Sequence, residues 1–193
     1  MIDALIVGGD SQIGKALVEK LHSRNITVVS TTRRWPSPPQ ATWDILPYDL
    51  RWPTFLPEAE FAFFCTGING FKPCEADPEE ARRINVTLLT AAARQAKAMG
   101  CDVVFLSSSA ADTHPDTVYG TCKRDAEKVF LELGGACFRF GPVAFPGRNV
   151  YANEVYSPIN LSTLTDLLAG CFERWEPGLH CIYNRDWVKE DAA

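Results

Sequence analysis

The sequence lacks most of the features that would assign it to a membrane, a nucleic acid or an oxidising compartment. No apolar run approaches the roughly 20 residues of a transmembrane helix. Like charges form no block, and 19 Lys and Arg stand against 24 Asp and Glu, a formal net charge of −5. A polyanionic partner, whether nucleic acid or membrane surface, therefore has no electrostatic support. Met1-Ile2-Asp3 runs straight into an apolar strand, without the basic region and small-residue cleavage site of a secretory leader, and a cytoplasmic location is expected. The seven cysteines, at 65, 74, 101, 122, 137, 171 and 181, are odd in number, scattered and free of any C-x-x-C pair. That pattern argues against a disulfide framework and predicts reduced, mostly buried thiols with no metal site. There is no low-complexity segment and no repeat beyond an alternation of strands and helices.

What the chain does have is a core. Hydrophobic residues make up 46% of its 193 positions, enough to fold as one domain, 1–193. Ala4-Leu5-Ile6-Val7 reads as a buried strand, Gly8-Gly9-Asp10-Ser11-Gln12-Ile13-Gly14 as a turn, and Lys15 to Ser23 as a helix. A strand, a glycine-bearing turn and a helix in that order make a phosphate site. The helix start presents unpaired N–H groups, and the glycines let a pyrophosphate approach the backbone. Ile26 to Ser30 is a second strand, followed by Thr31-Thr32-Arg33-Arg34. An acidic residue there would accept from a ribose 2′-hydroxyl; two arginines instead suit a 2′-phosphate, so NADP is preferred over NAD.

Further strands are expected at Ile45 to Tyr48, Phe61 to Cys65, Asp102 to Leu106, Ala136 to Phe140 and Leu179 to Tyr183. The run Phe61 to Cys65 ends in Thr66-Gly67, where a strand end would face the cofactor. Asp77-Pro78-Glu79-Glu80 starts a helix, with Asp77 as cap, Pro78 at the first helical position and Glu80 closing a capping box. Its apolar positions Ile84, Leu88, Leu89, Ala92 and Ala96 enclose one amide, Asn85, which needs partners if buried. Two more helices are expected at Thr117 to Leu133 and Thr163 to Trp175. The alternation predicts a doubly wound parallel sheet. Residues 142–193 read as a short accessory lobe across the carboxyl edge of the sheet, on the substrate side.

Tyr119-Gly120-Thr121-Cys122-Lys123 carries the candidate chemistry. Tyr119 and Lys123, four apart on a helix, share a face. A phenol titrates at about 10, and a nearby cation favours its ionised form, so Lys123 is expected to lower the Tyr119 pKa. Ser109 ends a strand just upstream, where it could hydrogen-bond a substrate oxygen while Tyr119 moves the proton.

As a set these parts resemble the short-chain dehydrogenase/reductase superfamily, in particular its extended, epimerase/dehydratase-like branch. The resemblance rests on Gly8-Gly9 with Ile13-Gly14, Asp49-Leu50, Asn85, Phe105 to Ser109, Tyr119 with Lys123, and Arg139-Phe140-Gly141-Pro142. It implies a Rossmann-type domain. Gly8, Gly9 and Gly14 would line the pyrophosphate, Asp49 and Leu50 would contact the adenine, and Thr66 and Gly67 would pass the ribose. Ser109, Tyr119 and Lys123 would be the catalytic set, with Ser108 as the next candidate serine and Asn85 supporting Lys123 or a proton relay. Ser11 replaces the middle glycine of the turn, its hydroxyl able to donate to phosphate. Ser11-Gln12-Ile13-Gly14 is similar to the loop of dTDP-4-dehydrorhamnose reductases, which adds Gln12 and Ile13 to the cofactor site. The resemblance also implies a homodimer packed through long helices.

The expected activity is an NAD(P)-dependent oxidoreductase acting on a small-molecule carbonyl or alcohol. The alternatives are a sugar-nucleotide epimerase or dehydratase with retained cofactor, and a non-catalytic NADP(H) sensor. Only about 50 residues follow Gly141, so the expectation is a smaller substrate than a nucleotide-sugar, or a site completed by a second subunit. Phe140, Phe145, Arg148, Tyr151 and Tyr156 are candidate pocket residues.

Overall fold

The computed structural model describes residues 2–32, 44–47, 56–145 and 158–182. Its organising strand is β1, Ile2–Val7, whose apolar residues point alternately to both faces of a sheet. Leu5 and Val7 pack on one side with Phe64, Phe105 and Phe130. Ala4 and Ile6 pack on the other with Phe61, Phe63, Leu17 and Leu21. A strand apolar on both faces is what a parallel sheet covered twice by helices requires.

The remaining strands are β2 (Val28–Thr32), β3 (Asp44–Pro47), β4 (Ala59–Phe64), β5 (Asp102–Leu106), β6 (Ala136–Phe140), a short pair β7 (Val143–Ala144) and β8 (Ile159–Asn160), and β9 (Gly178–Ile182). Seven of them form one sheet in the order β3-β2-β1-β4-β5-β6-β9. Every neighbouring pair is parallel. This is the expected doubly wound Rossmann architecture, with the switch in strand order between β1 and β4.

Helix α1 spans Gln12–Ser23 and starts a turn earlier than Lys15, because Ser11 caps it: the hydroxyl accepts from Gly14 N at 3.0 Å. Helix α2, Phe71–Ala76, follows β4. Asp77 caps α3, Pro78–Arg82, by accepting from Glu80 N at 3.0 Å. The helix then widens into a π-helical stretch, Arg83–Leu88, before resuming as α4, Leu89–Ala98. After β5 come α5, Ala110–Thr113, and α6, Val118–Glu132, capped by Thr117.

The tail differs from expectation. Its helix, α7, spans Leu161–Ala169 and ends in a 3₁₀ turn, Gly170–Phe172. It packs on α1, where Lys20 and Arg24 both reach Asp166. β9 joins the main sheet beside β6. Most of the described tail thus completes the Rossmann domain rather than lying across its carboxyl edge, since Leu164 and Leu168 are needed to cover the α1 face of the core. The β7–β8 pair is the part that stands at that edge. None of the seven cysteines is in a disulfide; five are buried, and Cys65 and Cys181 are half-buried.

Candidate active site

The carboxyl ends of β1, β4, β5 and β6 open into a cleft of about 600 Å³. Its floor on the β1 side is the glycine turn. Gly8 has φ +90°, a region only glycine enters without strain, and its N–H donates to Thr31 Oγ1 at 3.0 Å. A Cβ on Gly9 would stand 2.5 Å from the Cβ of Ser30, and one on Gly14 would collide with the carbonyl of Gly8. The glycines therefore serve close packing of turn, helix and strand. The residues that face the cleft at the start of α1 are Ser11, Gln12 and Ile13. Ser11 is both cap and lining residue.

Thr66 and Gly67 line the same cleft after β4. Thr32 is buried at the end of β2. Arg33, Arg34, Asp49, Leu50, Arg148, Tyr151 and Tyr156 lie outside the described residues. Phe140 and Phe145 line the cleft.

The serines that end β5 divide three tasks. Ser107 is buried and its hydroxyl donates to Glu127 Oε1 at 2.5 Å. Ser108 Oγ accepts from Ala110 N at 3.2 Å, and its hydroxyl favours ionisation of the Tyr119 phenol. Ser109 is buried in the turn: its N–H donates to the carbonyl of Phe140, and its own carbonyl accepts from Asp112 and Thr113. All three line the cleft, and Ser108 is the one whose hydroxyl acts on the Tyr119 phenol.

Tyr119 lies on the first turn of α6, only 7% exposed. Its hydroxyl donates to Asn69 Oδ1 at 2.6 Å. Burial pushes the phenol up to about 12, opposed by the Ser108 hydroxyl and reinforced by Cys74. The expected lowering by Lys123 is not what the structure shows. The lysine Nζ stands 5.8 Å from the Tyr119 ring centre, over the Phe105 ring at 4.7 Å, and donates to the carbonyl of Leu106 at 2.9 Å. Burial outweighs a cation held at that distance. Burial also acts on the lysine, which it lowers to about 8 against the opposing pull of Glu127.

Asn85 does not support Lys123. Its amide is spent elsewhere: Oδ1 accepts from Ile68 N at 2.7 Å, and Nδ2 donates to Ile68 O at 2.8 Å and to Cys74 Sγ at 3.8 Å. The π-helical stretch turns this one polar residue inward, where it anchors the loop after β4.

Sequence reasoning missed Asn69, Phe71 and His114, which line the mouth of the cleft, and the buried pair Glu127 and Arg139 beneath it. Glu127 was visible in principle: Tyr119, Lys123 and Glu127 recur at intervals of four and share one helix face. Arg139, in the middle of an apolar strand, also signals a buried acid.

A family model described as the RmlD substrate binding domain matches residues 2–138. The chain belongs to this family. Solved structures with the same fold include MoeE5 in complex with UDP-glucuronic acid and NAD, at 20% identity and TM-score 0.80, covering 93% of this chain and 75% of that one. A hypothetical dTDP-4-dehydrorhamnose reductase from Sulfolobus tokodaii aligns at 16% identity and TM-score 0.74, over 96% of this chain and 80% of that one. A putative NAD-dependent epimerase/dehydratase from Bacillus halodurans aligns at 16% identity and TM-score 0.75, over 93% and 92%. No curated protein matches the sequence. At these identities the likeness to the solved structures is one of fold. Membership in the RmlD family accords with the resemblance read from the motifs.

Proposed function

We propose that this RmlD-family chain is a nicotinamide-dependent oxidoreductase acting on a carbonyl or alcohol carbon. The observation that carries the reading is convergence: Tyr119, Ser108 and Lys123 line the same cleft as the first turn of α1. The cradle fits a dinucleotide. The helix start offers its backbone N–H groups at Gln12 and Ile13, the turn behind it has no room for a Cβ at Gly9 or Gly14, and Lys123 brings a cation to the cleft wall. Ser11, Gln12 and Ile13 would hold the diphosphate, and Thr66, Gly67 and Lys123 the ribose next to the reacting ring. The bound nicotinamide would give or take the hydride.

The chain's own groups do the rest. Tyr119 holds the proton that moves to or from the substrate oxygen. Ser108 polarises that oxygen. Lys123, charged below pH of about 8, favours the phenolate left when the proton departs. The NADP preference rests on Arg33 and Arg34, which follow β2 where an acid would otherwise select a free 2′-hydroxyl. MoeE5 and the Bacillus halodurans protein are described with NAD or as NAD-dependent, so the preference belongs to this chain's arginines. A homodimer packed through the long helices is part of the same reading. Light scattering tests the dimer.

Titration with NADPH and NADH side by side, read by nicotinamide fluorescence, tests the cofactor site. NADPH is expected to bind at least tenfold tighter; equal affinity removes the arginine argument, and no binding of either removes the reading. The Bacillus halodurans likeness favours one second reading, an epimerase or dehydratase that retains its cofactor. Copurified nicotinamide that does not exchange would select it.

A further inference from the structure

The loop between β4 and α2 reaches into the cleft and is held there by the Asn85 carboxamide, with the Cys74 thiol also donating to the Ile68 carbonyl at 3.6 Å. Asn85, 3% exposed, bonds both the N–H and the carbonyl of Ile68. Gly67 lies so close that a Cβ there would stand 2.7 Å from Asn85 Oδ1. With Ile68 pinned on both its backbone groups, the next residue, Asn69, sets its Oδ1 2.6 Å from the Tyr119 hydroxyl, which donates to it. Phe71 closes the other side, edge-on to the Tyr119 ring with centroids 5.5 Å apart.

An amide oxygen can only accept. In the observed orientation it bonds the protonated phenol and would face the lone pairs of the ionised one, so it stabilises the acid form until the amide turns over to present Nδ2. We propose that Asn69 is a positioning residue that keeps the Tyr119 hydroxyl protonated and aimed into the cleft, ready to act as the general acid of a carbonyl reduction, and that Asn85 sets it there through Ile68. The consequence for reduction rests on the oxidoreductase reading; the effect on the phenol does not. In the reductive direction the phenol O–H breaks, its proton goes to the substrate oxygen as the hydride reaches the carbonyl carbon, and water restores the proton. Alcohol oxidation needs the phenolate and so runs at higher pH.

The other groups around the ring are few. Lys123, on α6, stands 5.8 Å from the ring centre, and Ser108, at the end of β5, favours the phenolate. Cys74 faces it from α2 and opposes ionisation, as burial does. His114, after α5, packs on Phe71 at 4.9 Å, and Glu75 of α2 accepts from Val118 N beside the ring.

The test replaces tyrosine throughout the full chain by 3-fluorotyrosine, whose phenol ionises at lower pH, and follows each ring by fluorine NMR; Tyr119→Phe assigns the resonance. Asn69→Leu keeps the bulk over the ring but accepts no hydrogen bond. Its titration midpoint is expected about one pH unit below the parent's, and that of Asn69→Asp above it. Asn85→Ala is expected to shift the midpoint down like Asn69→Leu, and the double variant no further. An unchanged or raised midpoint in Asn69→Leu overturns the proposal, since a merely space-filling side chain would give that result. Additive shifts in the double variant overturn the link through Ile68. If Asn85→Ala does not fold, the two Asn69 variants decide alone. The titration needs neither cofactor nor substrate, so a protein that turns over no carbonyl would refute the oxidoreductase reading and leave this measurement standing.

Discussion

Arg139 clasps Glu127 with two parallel bonds: Nε reaches Oε1 at 2.8 Å and Nη2 reaches Oε2 at 2.6 Å. The acid is 2% exposed and the arginine 8%, one turn of α6 below Lys123. Ser107 adds a third bond to the carboxylate, and Arg139 also approaches Asp112 at 3.6 Å. Removing one partner leaves the other charge buried and unpaired, which costs about 3–5 kcal/mol. Glu127→Ala is therefore expected to lower the free energy of urea unfolding by that amount. The double variant Glu127→Leu, Arg139→Met should recover much of the loss. A Glu127→Ala protein as stable as the parent would show that the pair does not hold β6 to α6.

Tyr119→Phe removes the hydroxyl and little else, since the ring keeps its contact with Phe71. Turnover should fall by at least a thousandfold while NAD(P)H affinity stays within about threefold. Steady-state kinetics and fluorescence titration on the same preparation separate the two. Unchanged turnover would take Tyr119 out of the mechanism.

The serines offer a sharper comparison. Ser108→Ala deletes the hydroxyl that favours the ionised phenol and should cost about a hundredfold in kcat. Ser109→Ala deletes a hydroxyl in a turn whose backbone bonds survive, and should cost less than about fivefold. The opposite ranking would restore Ser109 as the residue that touches substrate.

Lys123 supplies a pH dependence with a definite sign. Burial lowers its pKa from 10.5 to about 8, so between those values the unfolded chain binds the proton and the folded protein does not. Stability contributed by this group therefore rises as pH climbs from about 8 to 10.5, and is constant below and above that window. The raised phenol of Tyr119 acts the other way, but only above its ordinary value of about 10. Thermal unfolding of Lys123→Met against the parent isolates the lysine: the difference in stability should shift in the parent's favour as pH rises from 8 to 10. A flat difference would place the lysine pKa at its ordinary value.

The parts of this protein that could be read in advance are those set by local sequence. β5 and β6 run Asp102–Leu106 and Ala136–Phe140, as continuous apolar runs between turn residues predict. Asp77 and Thr117 cap helices as their side chains suggest. What could not be read depends on contacts distant in sequence. Ser11 was legible as a small residue in a glycine turn, but its role as a cap follows from where Gly14 comes to rest. Ser108 and Ser109 are identical in type, and only the turn after β5 decides which one acts on the Tyr119 phenol. Asn69 is 50 residues from its partner, and nothing in the spacing announces the bond. The tail helix was foreseen, but its docking on α1 through Asp166 was not.

The π-helical stretch at Arg83–Leu88 has a cost and a use. Such a bulge amounts to one surplus residue in an otherwise regular helix. Excising a single residue from 83–88 would let α3 and α4 fuse into an unbroken α-helix, a better ladder of backbone bonds. It would also rotate Asn85 off Ile68 and swing Arg82 away from Asp125, which it now meets at 3.0 Å. The shortened protein would gain a tidier helix and lose the tether on the loop that carries Asn69, so the irregularity in this helix is what keeps the mouth of the cleft in shape.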